Sequence, residues 1–129
     1  MMYPGPVVSA EWLAAHLNDP KVRIIDATVH LPDTGRNAKA EYLHEHIPGA
    51  GFFDFDVIAD PGNPLPRKFP PQAVLAREAG KLGIDNDTHI VAYDTPGLYS
   101  AARVWWLFRQ YGYDTVSILD GGLKHWKAA

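Results

Sequence analysis

Residues 91–112 read VAYDTPGLYSAARVWWLFRQYG. A short apolar run ends at Tyr93, a turn-forming stretch leads from Asp94 to Ser100, and an aromatic-rich helix is predicted from about Ser100. Ala101, Val104, Trp105, Phe108 and Tyr111 recur at spacings of three and four, as one buried helix face requires. Arg103 and Arg109 fall away from the centre of that stripe. Gly112 is placed to end the helix, because glycine reaches the left-handed backbone without steric cost. A strand that feeds a helix through a loop is the repeating unit of parallel sheets, and such loops often carry the chemistry.

Working outward, the same unit recurs. Val7-Val8 reads as a brief edge strand, and Ser9 as the cap of a helix whose stripe is Trp12, Leu13, His16 and Leu17. Asn18-Asp19-Pro20 stops that helix, and Val22 to Asp26 reads as a buried strand. An irregular loop around Pro32 and Gly35 gives way to a short helix capped by Asn37, which passes Tyr42 and His44 and must stop before Pro48. Ala50 to Phe53 is a further short strand. The segment ADPGNPLPRKFPP is too rich in proline for regular structure. Pro71 sits in the first turn of a helix whose apolar face is Val74, Leu75 and Leu82. Asp85-Asn86-Asp87 is a turn, THIVAY a strand, and TVSIL the last strand. Asp120-Gly121-Gly122 then turns into a short helix containing His125 and Trp126. Strand and helix alternate about five times without a tight hairpin, which predicts a parallel sheet covered on both faces with right-handed crossovers.

The 129 residues fit one domain, 1–129, and the 47% apolar content suits a packed core rather than a disordered chain. Twelve basic side chains against fifteen acidic ones give a net charge of −3, with no basic run beyond Arg67-Lys68. A groove that tracks phosphates needs clustered cations, so nucleic acid is not an expected partner. Neither is a membrane, since no apolar run approaches the ~20 residues that span a bilayer. The opening MMYPGPVVSA lacks the cationic start and apolar stretch of a secretory signal, so a cytoplasmic location is expected. The chain contains no cysteine. Disulfides, thiolate metal sites and a cysteine nucleophile are therefore excluded.

In a parallel α/β domain Asp94 lies at the carboxyl end of a central strand, where the turn and helix start aim backbone N–H groups inward as an anion cradle. The Asp94 carboxylate is then either a nucleophile or base, or a filler of the cradle that caps the loop. The second reading is favoured, because neither a DxDx(T/V) motif nor a cluster of metal-binding acids surrounds it. Arg103 alone is too little cationic clamp for phosphatase chemistry. GxGxxG and P-loop motifs are absent, and Ser100 lacks a GxSxG setting. His44 and His46 point apart on a helix, His30 does not complete a site, and Asp54, Asp56 and Asp60 fit no calcium loop. No metal or other cofactor is expected.

Several ordered segments carry a resemblance: HIPGA at 46–50, FFDFD at 52–56, NPLPRKFP at 63–70, LGIDNDTHIVAYD at 82–94, AARVWWLFRQYG at 101–112 and VSILDGGLKHW at 116–126. Together they resemble the rhodanese family, and more narrowly the amino-terminal domain of two-domain thiosulfate and 3-mercaptopyruvate sulfurtransferases. The resemblance implies a three-layer α/β fold with a five-stranded parallel sheet and helices on both faces. It also implies that a cysteine, the persulfide-forming nucleophile of active members, is replaced by Asp94, followed in the loop by Thr95, Pro96, Gly97, Leu98, Tyr99 and Ser100. The chain is then a non-catalytic domain whose partner is a carboxyl-terminal catalytic rhodanese domain of the same protein, with self-association expected when isolated. The alternative is a stand-alone inactive module that binds protein or small anions. On either reading Asp26, His46, Pro48, Gly49, Asp120, Gly121 and Gly122 are architectural, and Arg103, Trp106 and Arg109 are candidates for a domain interface.

Overall fold

The computed structural model describes residues 5–28, 37–53, 72–84, 88–95 and 99–128. His30, the acids Asp54, Asp56 and Asp60, the proline-rich 61–71 segment with Pro71, the 85–87 turn, and Pro96, Gly97 and Leu98 lie outside the described residues. The elements are β1 (Val7–Val8), α1 (Ala10–Ala15), β2 (Val22–Asp26), α2 (Ala38–His44), β3 (Gly51–Phe52), α3 (Gln72–Lys81), β4 (His89–Tyr93), α4 (Tyr99–Gln110), β5 (Val116–Leu119) and α5 (Gly122–Ala128).

The strands form one sheet in the order β1-β5-β4-β2-β3, and every pairing is parallel. Side chains of a strand alternate between the two faces, so the central strands serve two cores. Ile25, Ile90, Ala92 and Ile118 meet Leu75 and Ala79 of α3 and Val104, Leu107 and Phe108 of α4. On the opposite face Ile24, Val91, Tyr93 and Leu119 meet Leu13 of α1, Ile47 after α2 and Leu123 of α5. Strand β4 is buried throughout, from His89 at 3% exposure to Tyr93 at 0%. Burial of a single side chain such as Ile90 contributes about 1.5–3 kcal/mol, which makes this strand the strongest organiser of the fold.

Local chemistry sets the helix starts. The Ser9 Oγ accepts the Trp12 N–H at 3.0 Å, and the Asn37 Oδ1 accepts the Ala40 N–H at 3.0 Å. The strand expected over 50–53 is shorter, because only Gly51 and Phe52 pair with β2, opposite Ile25 and Asp26. Helix α4 begins one residue before the expected Ser100, at Tyr99. Among the described residues no helix is long and apolar enough to cross a membrane.

Candidate functional site

The register aligns Asp26 of β2 with Tyr93 of β4 and with Phe52 of β3, so their carboxyl ends form one edge of the sheet. Asp94 follows directly and is 0% exposed. The Ala101 N–H, in the first turn of α4, donates to Asp94 Oδ2 at 2.9 Å, and the Ser100 hydroxyl approaches the same oxygen at 3.4 Å. A carboxylate here satisfies a donor that the helix itself cannot, and lies at the positive end of the helix dipole. From the other side, the Leu123 N–H donates to the Asp94 carbonyl at 3.0 Å, which brings the first turn of α5 onto the same residue. That approach requires glycine at 122: its φ is +64°, and a Cβ there would lie 2.2 Å from the Asp94 carbonyl oxygen.

A second buried network adjoins the first. The Thr28 N–H and hydroxyl both donate to Asp26 Oδ1, at 2.9 and 2.6 Å. With its one proton so committed, the Thr28 oxygen accepts the Thr95 N–H at 3.1 Å and, at 3.3 Å, the Thr95 hydroxyl. Thr28 therefore ties the end of β2 to the first loop residue after Asp94. The Tyr93 hydroxyl accepts the Ile47 N–H at 3.3 Å and hydrogen-bonds the Asp26 carboxylate. Burial pushes the Asp26 carboxyl above its ordinary value, against the opposing pull of its Thr28 and Tyr93 bonds. Burial, reinforced by the Asp26 charge, pushes the Tyr93 phenol far above its ordinary range. Thr28 and Tyr93 carry this network and were missed as site residues. The available signal was a tyrosine at the end of a wholly buried strand, whose hydroxyl must find a partner once buried.

The remaining candidates lie around this edge. His46 is exposed, stacks on Tyr42 at 4.3 Å, and its Nδ1–H donates to the Tyr42 carbonyl at 2.7 Å. Pro48 and Gly49 are exposed, with Gly49 at φ +83°. The Tyr42 hydroxyl donates to the Ala50 carbonyl just beyond them. Asp120 and Gly121 are exposed while Gly122 is buried, and the Asp120 N–H donates to the Val8 carbonyl at 2.8 Å. On α4, Arg103 is exposed and Trp106 is 50% exposed. Arg109 is engaged within the chain: it lies over the Trp105 ring at 4.8 Å and within 3.9 Å of the Asp114 carboxylate.

A five-stranded parallel sheet in this order, with helices on both faces and a buried Asp94 directly after its central strand, defines a rhodanese-type α/β domain. The chain belongs to that family: residues 9–129 match the rhodanese-like domain. It is 48% identical over 124 residues to thiosulfate/3-mercaptopyruvate sulfurtransferase 1, mitochondrial, of Arabidopsis thaliana, covering 96% of this chain and 33% of that protein. It is 46% identical over 126 residues to human 3-mercaptopyruvate sulfurtransferase, covering 93% of this chain and 42% of the relative. The crystal structure of SseA, a 3-mercaptopyruvate sulfotransferase from Escherichia coli, superposes with a TM-score of 0.86 at 44% identity, over 95% of this chain and 47% of that one. The chain thus spans less than half the length of each of these relatives.

Proposed function

We propose that this chain is the non-catalytic amino-terminal domain of a thiosulfate/3-mercaptopyruvate sulfurtransferase, which packs against a catalytic rhodanese domain and walls its cleft. The observation that carries this reading is Asp94. It sits where the family resemblance implies a cysteine, it is buried, and its carboxylate takes the donors at the start of α4. An aspartate supplies the negative charge that such donors favour, but it has no sulfur to attack a sulfane donor or to hold a persulfide. With no cysteine anywhere in the chain, the nucleophile must come from another domain. The relatives are long enough to supply one. Interfaces between domains of one chain commonly bury ~600–1,500 Å². The exposed Trp106 on α4 suits such a contact.

The first test is direct. The 129-residue chain, given thiosulfate with cyanide or 3-mercaptopyruvate with a thiol, should show no turnover above buffer. Turnover would overturn the reading. The second test addresses the wall. The chain grafted in place of the matching half of the Escherichia coli relative should restore turnover well above that of the catalytic half alone. Equal activity with and without it would refute the cleft role.

A further inference from the structure

A second buried polar site lies at the opposite, amino-terminal end of the strands. His89 opens β4 and is 3% exposed, and its Nε2 lies 2.8 Å from the Ser117 Oγ of β5. The Ser117 hydroxyl donates in turn to the Gly5 carbonyl at 2.6 Å. A serine hydroxyl has one proton and a carbonyl can only accept, so the Ser117 oxygen accepts from His89 Nε2–H. The chain of bonds therefore runs from the central strand through its neighbour to the segment preceding β1.

That segment is held weakly. Strand β1 has two residues, pairs with β5 alone, and leaves Val7 49% exposed. Besides the Gly5 contact, the Ile118 N–H donates to the Pro6 carbonyl and the Asp120 N–H to the Val8 carbonyl, both at 2.8 Å, flanking the two-residue pairing with β5. We propose that the His89–Ser117–Gly5 chain is a proton-controlled latch, which holds β1 while the imidazole is neutral and releases it when the imidazole is protonated.

The physical cause is burial of charge, since Nε2–H is a donor in both states and its bond survives protonation. Burial is the largest influence on the imidazole, and it opposes the charged form. Helix α1 presents the Trp12 ring edge-on at 5.2 Å, and His16, stacked on Trp12 at 4.0 Å, opposes a second positive charge. The turn into β2 presents Asp19, whose charge favours the protonated form less than burial and His16 oppose it, and the Lys21 carbonyl, which already accepts the His89 backbone N–H at 2.7 Å. Strand β5 presents the neutral Ser117. Burial accordingly holds the imidazole below its ordinary 6.5. The unfolded or opened chain binds the proton more readily than the closed one, so closure is fully stable above about 6.5 and weakens as the pH falls toward the depressed value. A protonated imidazole gains water most cheaply if the two-residue edge strand β1, tied to it through Ser117, lifts.

Backbone amide exchange on the 129-residue chain tests this, with rates corrected for the intrinsic effect of pH. Between pH 7.5 and 5.5, protection at Ile118 and Asp120 should fall at least fivefold, while Ala27 and Ile90 in the central sheet hold theirs. His89→Gln retains a donor toward Ser117 and should abolish the pH dependence at Ile118 and Asp120. A uniform loss across the sheet, unchanged protection at Ile118, or persistence of the effect in His89→Gln overturns the latch. Should that variant not fold, the wild-type His89 imidazole resonances decide. Their midpoint must lie below 6.5, with the loss of protection falling between 6.5 and that midpoint, and a midpoint at or above 6.5 rejects the proposal.

Discussion

Replacing Asp94 by asparagine and by alanine separates two opposed effects of burying its charge. Desolvation of a carboxylate at 0% exposure costs several kcal/mol, and on that ground alone a neutral isostere stabilises the fold. Against it stand the donors. The 2.9 Å bond from the Ala101 N–H is charge-assisted and contributes about 1.5–3 kcal/mol. The Ser100 hydroxyl, at 3.4 Å, adds little. The partly aligned dipole of α4 contributes up to about 2 kcal/mol in a buried setting. If the loop is an anion cradle, the donors win. Asp94→Asn keeps an acceptor for Ala101 and loses the charge, for a cost of about 1–2 kcal/mol. Asp94→Ala also strands a buried N–H, for a total of about 3 kcal/mol. With a urea dependence of about 2 kcal/mol per molar, the alanine variant should unfold at a midpoint lower by about 1.5 M, and the asparagine variant by about half that. Equilibrium urea unfolding followed by tryptophan fluorescence reads both. An asparagine variant as stable as the wild type, or more so, would mean that the site tolerates the charge rather than using it. The cradle would then be wrong.

Other positions give independent checks. Asp26→Asn should have the opposite sign from Asp94→Asn. The folded Asp26 carboxyl is raised above 3.8 by burial, so its stability contribution is greatest below 3.8 and declines as the pH climbs through the raised value. The asparagine variant should lose that decline and gain on the order of 1 kcal/mol at pH 8 in urea unfolding, and a large loss there would refute the assignment. Gly122→Ala should cost at least ~1 kcal/mol more than Gly112→Ala. Both glycines have positive φ, but the added Cβ meets the Asp94 carbonyl in one case and open space in the other; equal urea midpoints would contradict that geometry. Trp106→Ser should shift stability by less than about 0.5 kcal/mol while reducing concentration-dependent association in sedimentation, and unchanged association would remove Trp106 from the proposed contact surface.

The parts of the fold that sequence reading reached are those fixed by neighbours along the chain. Ser9 and Asn37 were legible as caps because each bonds an N–H three residues on. Strands β2 and β4 were legible because runs of buried β-branched residues have clear ends. Strand β3 was placed too long, since the length of an edge strand depends on its partner's register. The site divides in the same way. Asp94 could be placed at a strand end by pattern, but its Ala101 donor and the approach of Gly122 depend on how α4 and α5 converge. Thr28 meets Thr95 across 67 residues and His89 meets Ser117 across 28, and no local period encodes either pair. Arg109 lies over Trp105 and within 3.9 Å of the Asp114 carboxylate, contacts that its place off the apolar stripe does not encode.

On the proposed reading, the exchange of a nucleophile for an aspartate has a structural logic. A parallel sheet that feeds a helix leaves N–H groups at the helix start, whatever the loop does chemically. A catalytic domain leaves those donors for a reacting anion, and so carries a fold that is incomplete without substrate. Here the chain fills its own cradle, and Asp94 joins β4 to α4 through its side chain and to α5 through its carbonyl. Thr28 extends the same hold to β2 by way of Thr95. Four elements converge on one loop, which suits a rigid wall better than a reaction site. An added anion should therefore compete poorly for the loop while Asp94 is present. Binding of thiosulfate at millimolar concentration to the wild-type chain, lost on Asp94→Asn, would contradict the self-filled cradle.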